Sequence, residues 1–282
     1  LEKEQIPRWN KFLQGYYDNS GIASDNYDQA VSLNNSGDIS LNKELEDKGI
    51  HLTTATSAST YYIGFNMLDT VIGGHSERSR FLRQAISIAI DYDEYISIFT
   101  NGRGIVAQSP LPPGIFGYQD GKNNFNKTIF ELQSGKIIKK NIDQAKKLLT
   151  KAGYDNGIDS QTGKPLILYF EATGAGADTY AFLNWLRKQF KKINIQLVTR
   201  VTDYNRFQEK MISGTGQIFQ WGWNADYPDP ENFLFLLYSK NGKVKYGGEN
   251  ASNYESQEFD ELFLKMKNMR NSSQRGKIIK NI

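Results

Sequence analysis

Between residues 165 and 223 the chain switches repeatedly between strand and helix periodicity, and this limits its fold more than any other feature. Residues 165–171, 193–201 and 217–223 read as strands, rich in β-branched and aromatic side chains. Residues 178–192 read as a helix, with Phe182, Leu183, Leu186 and Phe190 at three- and four-residue spacing, and residues 203–213 as a second. Strand–helix–strand–helix–strand at this spacing predicts a parallel α/β layer with right-handed crossovers.

The flanking segments add helices and turns. A strand is expected at 60–67, then a turn containing Gly73-Gly74. Residues 81–100 read as helical, through Leu82, Ala85, Ile86, Ala89 and Ile90, with a second helical start at Asp91 and a capping box completed by Glu94. Pro110, Pro112 and Pro113 make 101–118 a loop. Asn141 is expected to cap a helix that Gly153 closes in a left-handed conformation. Further helices are expected at 9–17, 230–238 and 258–269, and a turn at 34–37.

Bulk properties exclude several function classes. The 34 basic and 31 acidic residues are interspersed, for a net charge of +3, so no tract calls for nucleic acid. There is no cysteine, and the two histidines, His51 and His75, share no ligand spacing. Zinc, a Ser-His-Asp triad and a cofactor are therefore not expected. Gly174-Ala175-Gly176-Ala177 lacks the third glycine of a dinucleotide fingerprint and the Gly-Lys-Ser/Thr ending of a P-loop, and reads as a plain loop. No apolar run approaches the roughly 20 residues of a membrane helix. The chain has neither an initiator Met nor a charged-then-apolar leader, and it ends within a helical stretch. Both ends are expected to be cuts in a longer protein.

The chemistry concentrates in Gln220-Trp221-Gly222-Trp223-Asn224-Ala225-Asp226-Tyr227-Pro228-Asp229-Pro230. Alternation puts Phe219, Trp221 and Trp223 on one strand face. Asp226 falls in the loop beyond the strand's carboxyl end, where open α/β sheets bind ligands. Asp229-Pro230 begins a helix, with Asp as cap and Pro first. A carboxylate beside indoles can hold an ammonium group. Strand tryptophans are also common core residues, and a loop Asp is commonly a cap. Since Asp229 already caps the helix, Asp226 is expected to be left for a ligand.

Residues 222–230 resemble the Gly-Trp-x-x-Asp-Tyr-x-x-Pro signature of the dipeptide- and oligopeptide-binding proteins of bacterial ABC importers, solute-binding family 5. Tyr62-Ile63-Gly64-Phe65-Asn66-Met67 resembles that family's strand entering the ligand-binding lobe. Leu82-Arg83-Gln84-Ala85 resembles its Leu-Arg-Gln-Ala helix, Pro110-Leu111-Pro112-Pro113-Gly114 its proline-rich loop, and residues 145–154 its Ala-Lys-x-Leu-Leu-x-x-Ala-Gly-Tyr helix. These segments follow the family's order from about residue 60 to the end.

The resemblance implies an α/β, type II periplasmic-binding-protein fold with two lobes, present only in part. Residues 1–65 would be the C-terminal part of lobe I, and 66–282 most of lobe II. It implies a receptor, not an enzyme, that closes around a short peptide and delivers it to an ABC permease. Such a protein is expected to be a monomer, periplasmic or lipid-anchored on the outer face of the cytoplasmic membrane. Asp226 would hold the peptide's amino group and Trp223 line a side-chain pocket. Trp221, Phe219, Asn66 and Tyr227 complete the expected ligand-binding set. Some oligopeptide binders place an Arg at the position of Gln220 to hold the peptide carboxylate. A neutral side chain cannot supply that charge, so peptide length stays open. A receptor of the same fold for an oligosaccharide, haem or a nickel chelate is the alternative.

Overall fold

Capping residues set most helix starts. Side-chain oxygens of Asn42, Ser76, Asn141, Asp203, Ser256 and Ser272 accept backbone N–H bonds from the first turns that follow them. Asn141 and Gln144 form a reciprocal capping box. The computed structural model describes residues 5–33, 39–121, 125–174 and 176–282. The turn expected at 34–37 lies outside them.

In chain order the elements are α1 (Gln5–Leu13), α2 (Ser24–Ala30), β1 (Val31–Leu33), β2 (Ile39–Leu41), α3 (Lys43–Asp47), β3 (Ser59–Phe65), α4 (Glu77–Ala89) and α5 (Tyr92–Thr100). There follow β4 (Phe130–Gln133), β5 (Lys136–Lys139), α6 (Ile142–Lys151), β6 (Ile167–Thr173), α7 (Ala177–Lys191), β7 (Gln196–Thr202), α8 (Tyr204–Ser213) and β8 (Ile218–Asn224). The last are α9 (Glu231–Leu234), α10 (Lys243–Tyr246), α11 (Gln257–Met266) and α12 (Ser273–Asn281).

The chain divides into two compact units. One takes the residues up to Ala55 with Tyr92–Val106, and the other takes Thr56–Asp91 with Ala107–Ile282. The division therefore falls earlier than the expected boundary at 65, because β3 is bonded along its length to β8. The stretch expected to be helical from 81 is two helices, α4 and α5, and they belong to different units.

In the smaller unit, Trp9, Ala30, Val31, Leu41 and Leu45 form the core, beside the short antiparallel pair of β1 and β2. The larger unit holds a four-stranded sheet of order β3-β8-β6-β7. Strands β7, β6 and β8 run parallel, as the alternating pattern predicts, and β3 closes the β8 side as an antiparallel edge. Its apolar positions come from the expected helices: Leu82, Ala85 and Ile86 of α4, and Leu183, Leu186 and Phe190 of α7, are all buried. A small hairpin, β4–β5, turns through Ser134 and Gly135, both at positive φ.

Register in the β3–β8 pair depends on glycine. Gly64 lies opposite Phe219, and a Cβ there would sit 2.4 Å from the phenyl ring. Gly222 lies opposite Tyr61, whose ring would meet an added Cβ at the same distance.

Candidate functional site

Strand β8 sits between β3 and β6 and ends at Asn224, whose side-chain oxygen accepts a 2.7 Å hydrogen bond from Ser59. The chain then leaves the sheet. Ala225 N–H donates to the Ala58 carbonyl at 2.9 Å, which fixes where the loop begins. Asp226, Tyr227 and Pro228 are exposed.

Two residues hold the loop from beneath. Asn232, on α9 and 3% exposed, uses both ends of its amide. Its Oδ1 accepts from the Asp226 backbone N–H at 2.8 Å and from the Trp223 indole N–H at 3.2 Å. Its Nδ2 donates to Asp226 Oδ2 at 3.1 Å. Among the described residues, Asp226 Oδ1 has no partner. Asp226 is therefore not wholly left for a ligand, as expected from sequence: one oxygen is bonded within its own loop–helix segment and the other is open.

Asp229 carries more than a cap. Its Oδ1 accepts from Glu231 N–H at 2.8 Å, so regular helix begins at Glu231 rather than at Pro230. Both carboxylate oxygens also meet the Arg275 guanidinium, at 2.7 and 2.8 Å. Arg275 is 1% exposed, and it bonds the Met266 carbonyl and Asn271 as well. Partial burial alone would raise the Asp229 carboxyl, but the Arg275 hydrogen bonds, the Glu231 amide and the Arg275 charge outweigh it and hold the group below its usual range.

The six side chains expected at the site do not share one environment. Trp223 is half-buried and packs edge-on to Phe235, with ring centres 5.0 Å apart, against the cluster that includes Phe233, Phe259 and Phe263. Trp221 belongs to a different cluster. Its ring lies 5.2 Å from that of Phe207 and 5.2 Å from the Lys243 ammonium, which is also bonded to Glu249 and the Gly248 carbonyl. The Trp221 indole thus already faces a resident cation. That corrects the expectation of two indoles around Asp226.

Phe219 is fully buried with Phe207, Met211 and Ala251, so it supports the strand and cannot touch a ligand. Asn66, 2% exposed, is also a structural tie. It donates to the carbonyls of Gly214 and Gly216, and it accepts from Leu68 N–H and Asn253. Tyr227 is exposed, and its hydroxyl donates to Glu231. Because that carboxylate holds its proton, the phenol is pushed up to about 12.

Sequence reasoning missed Asn232 and Arg275. A signal existed for the first: Asn232 is a polar residue immediately ahead of the apolar Phe233-Leu234. Glu171 on β6 is a further buried acid, bonded to Lys210 at 2.5 Å and paired with Arg200 at 3.4 Å, so its charge is already compensated. Among the described residues no group of His, Cys, Asp or Glu could hold a metal ion, and no helix is long and apolar enough to cross a membrane.

A family model described as bacterial extracellular solute-binding proteins, family 5 Middle, matches residues 8–245. The chain is 27% identical over 241 residues to heme-binding protein A of Haemophilus influenzae, covering 84% of the chain and 37% of that protein. It is 24% identical over 200 residues to the oligopeptide-binding protein OppA of Bacillus subtilis, covering 71% of the chain and 33% of that protein. The periplasmic binding protein DppA of Helicobacter pylori, solved with the peptide STSA, superposes with a TM-score of 0.72 at 21% identity, covering all of this chain and 47% of that one. The chain thus spans between 33% and 47% of the length of these proteins. Its fold is part of the type II periplasmic-binding-protein fold.

Proposed function

Since the chain belongs to family 5 of the bacterial extracellular solute-binding proteins, we propose that the full-length protein is an extracytoplasmic receptor that captures short peptides and delivers them to an ABC permease. The observation that carries this reading is the Asp226 carboxylate. It is exposed beyond the carboxyl end of β8, it is tied through Asn232 to Trp223, and one of its oxygens is open. A peptide's α-ammonium group donates N–H bonds and carries the opposite charge, so it is the natural partner for that oxygen.

The larger unit is read as most of the ligand-binding lobe, and the smaller as part of the other. Capture follows from closure of the lobes in the whole receptor, stabilised by bound ligand. The receptor works as a monomer, in the periplasm or anchored by lipid. No chemical step is performed on the ligand.

Titration calorimetry of the full-length receptor with trialanine tests the proposal. Asp226→Asn keeps the side chain's shape and removes its charge, and the expected loss is roughly 2–5 kcal/mol of binding free energy. Unchanged affinity rejects the assignment.

The likeness to a heme-binding protein favours a second reading, a non-peptide solute such as haem, a nickel chelate or an oligosaccharide. Under that reading trialanine does not bind, and hemin or a neutral sugar binds equally to the wild type and to Asp226→Asn.

A further inference from the structure

We propose that Asn232 is the positioning residue that makes this site selective for cationic, N–H-donating groups. This rests on the reading that Asp226 holds an ammonium group. The orientation of the Asn232 amide is forced by its neighbours. Two N–H groups, from Asp226 and from the Trp223 indole, point at one end, and a carboxylate oxygen lies at the other. Turning the amide over would set its NH2 against two donors and its carbonyl against an anion.

Two consequences follow. The indole N–H and the Asp226 amide are the donors that could have received a carboxylate or a carbonyl from a ligand. Asn232 takes up both, so neither is offered to a ligand. The Asp226 carboxylate is also held by a neutral donor, so its charge is oriented without being cancelled. Asp229, three residues on, is the contrast, because the Arg275 guanidinium pairs with both of its oxygens. One loop thus carries a balanced acid that braces it and an unbalanced acid that faces solvent. The amide of Asn232 separates the two roles.

The test uses the full-length receptor, trialanine and N-acetyl-trialanine, with hydrogen exchange of the Trp223 indole proton followed by NMR. Asn232→Ala is expected to weaken trialanine binding about tenfold and to speed indole exchange by a similar factor, the usual consequence of losing hydrogen bonds to a charged group. Binding of the acetylated peptide should not change. Asn232→Ser, which keeps one polar atom in the space, is expected to fall between, and it serves if the alanine variant does not fold. Equal losses for both peptides would show a merely structural role and overturn the inference, as would unchanged indole exchange. If the wild type prefers trialanine and Asn232→Ala keeps the preference, this inference alone fails. If the wild type binds both peptides equally, the peptide-amine reading fails and takes the inference with it.

Discussion

Replacing Asp229 with Ala would leave the Arg275 guanidinium, whose side chain is 2% exposed, without its counter-charge. Removing one member of such a pair costs about 3–5 kcal/mol, far more than the loss of a surface cap, and urea denaturation of Asp229→Ala should read a change of that order. A loss under about 1 kcal/mol would instead mark Asp229 as an ordinary N-cap. The pair also has a pH signature. The folded carboxyl lies below its unfolded value, so its contribution is fully present above about pH 4 and fades as pH falls through the depressed folded value. Asp229→Asn should flatten the loss of stability in that acid range. Spacing alone showed Asp229 as a helix-starting residue. It could not show a partner in α12, because no local pattern records which of the chain's basic residues returns to a loop 46 positions away.

At the scale of an element, β3 and β8 are matched by two glycines that have different tolerances. Gly64 accommodates a fully buried phenyl ring with nowhere to move, whereas Gly222 lies under Tyr61, which is 67% exposed and free to swing aside. Gly64→Ala should therefore cost about 1–3 kcal/mol of stability, and Gly222→Ala less than half as much, in thermal unfolding. Equal effects would show that backbone conformation, not ring contact, sets both costs. The three parallel strands and their two connecting helices were legible in the sequence because burial imposes its period directly on them. Their observed limits differ from the expected ones by up to three residues. The β4–β5 hairpin was not legible. Its strands are short, and lysine at both ends of β5 hides any alternation. Alternation did place Trp221 and Trp223 on one strand face. The positions of Lys243 and Phe235, which decide their separate duties, are tertiary facts.

At the scale of the whole molecule, each unit has apolar clusters of its own among the described residues. Every residue of the Trp9 cluster lies before Ala55, and the clusters built on Phe233 and Phe219 draw only on the larger unit. A unit that buries its own apolar residues should fold alone. A chain lacking residues 1–55, with 92–106 replaced by a short glycine-serine linker, is expected to unfold in a single cooperative transition by differential scanning calorimetry. A broad, non-cooperative melt would show that the larger unit depends on the smaller. The overall class was readable from motif order, and the match over residues 8–245 agrees with it. The point of division was not readable, because segment 92–106 follows directly on α4 and yet packs with the other unit.

The bidentate clasp between Asp229 and Arg275 has a bearing on how such a binding protein can be retooled. The segment is anchored at Ala225, at Asp226 through Asn232, and from Asp229 onward. The two exposed positions between them, Tyr227 and Pro228, can be rewritten without disturbing that foundation. New cargo preferences can then arise by exchanging a tip while the mount beneath it stays unaltered.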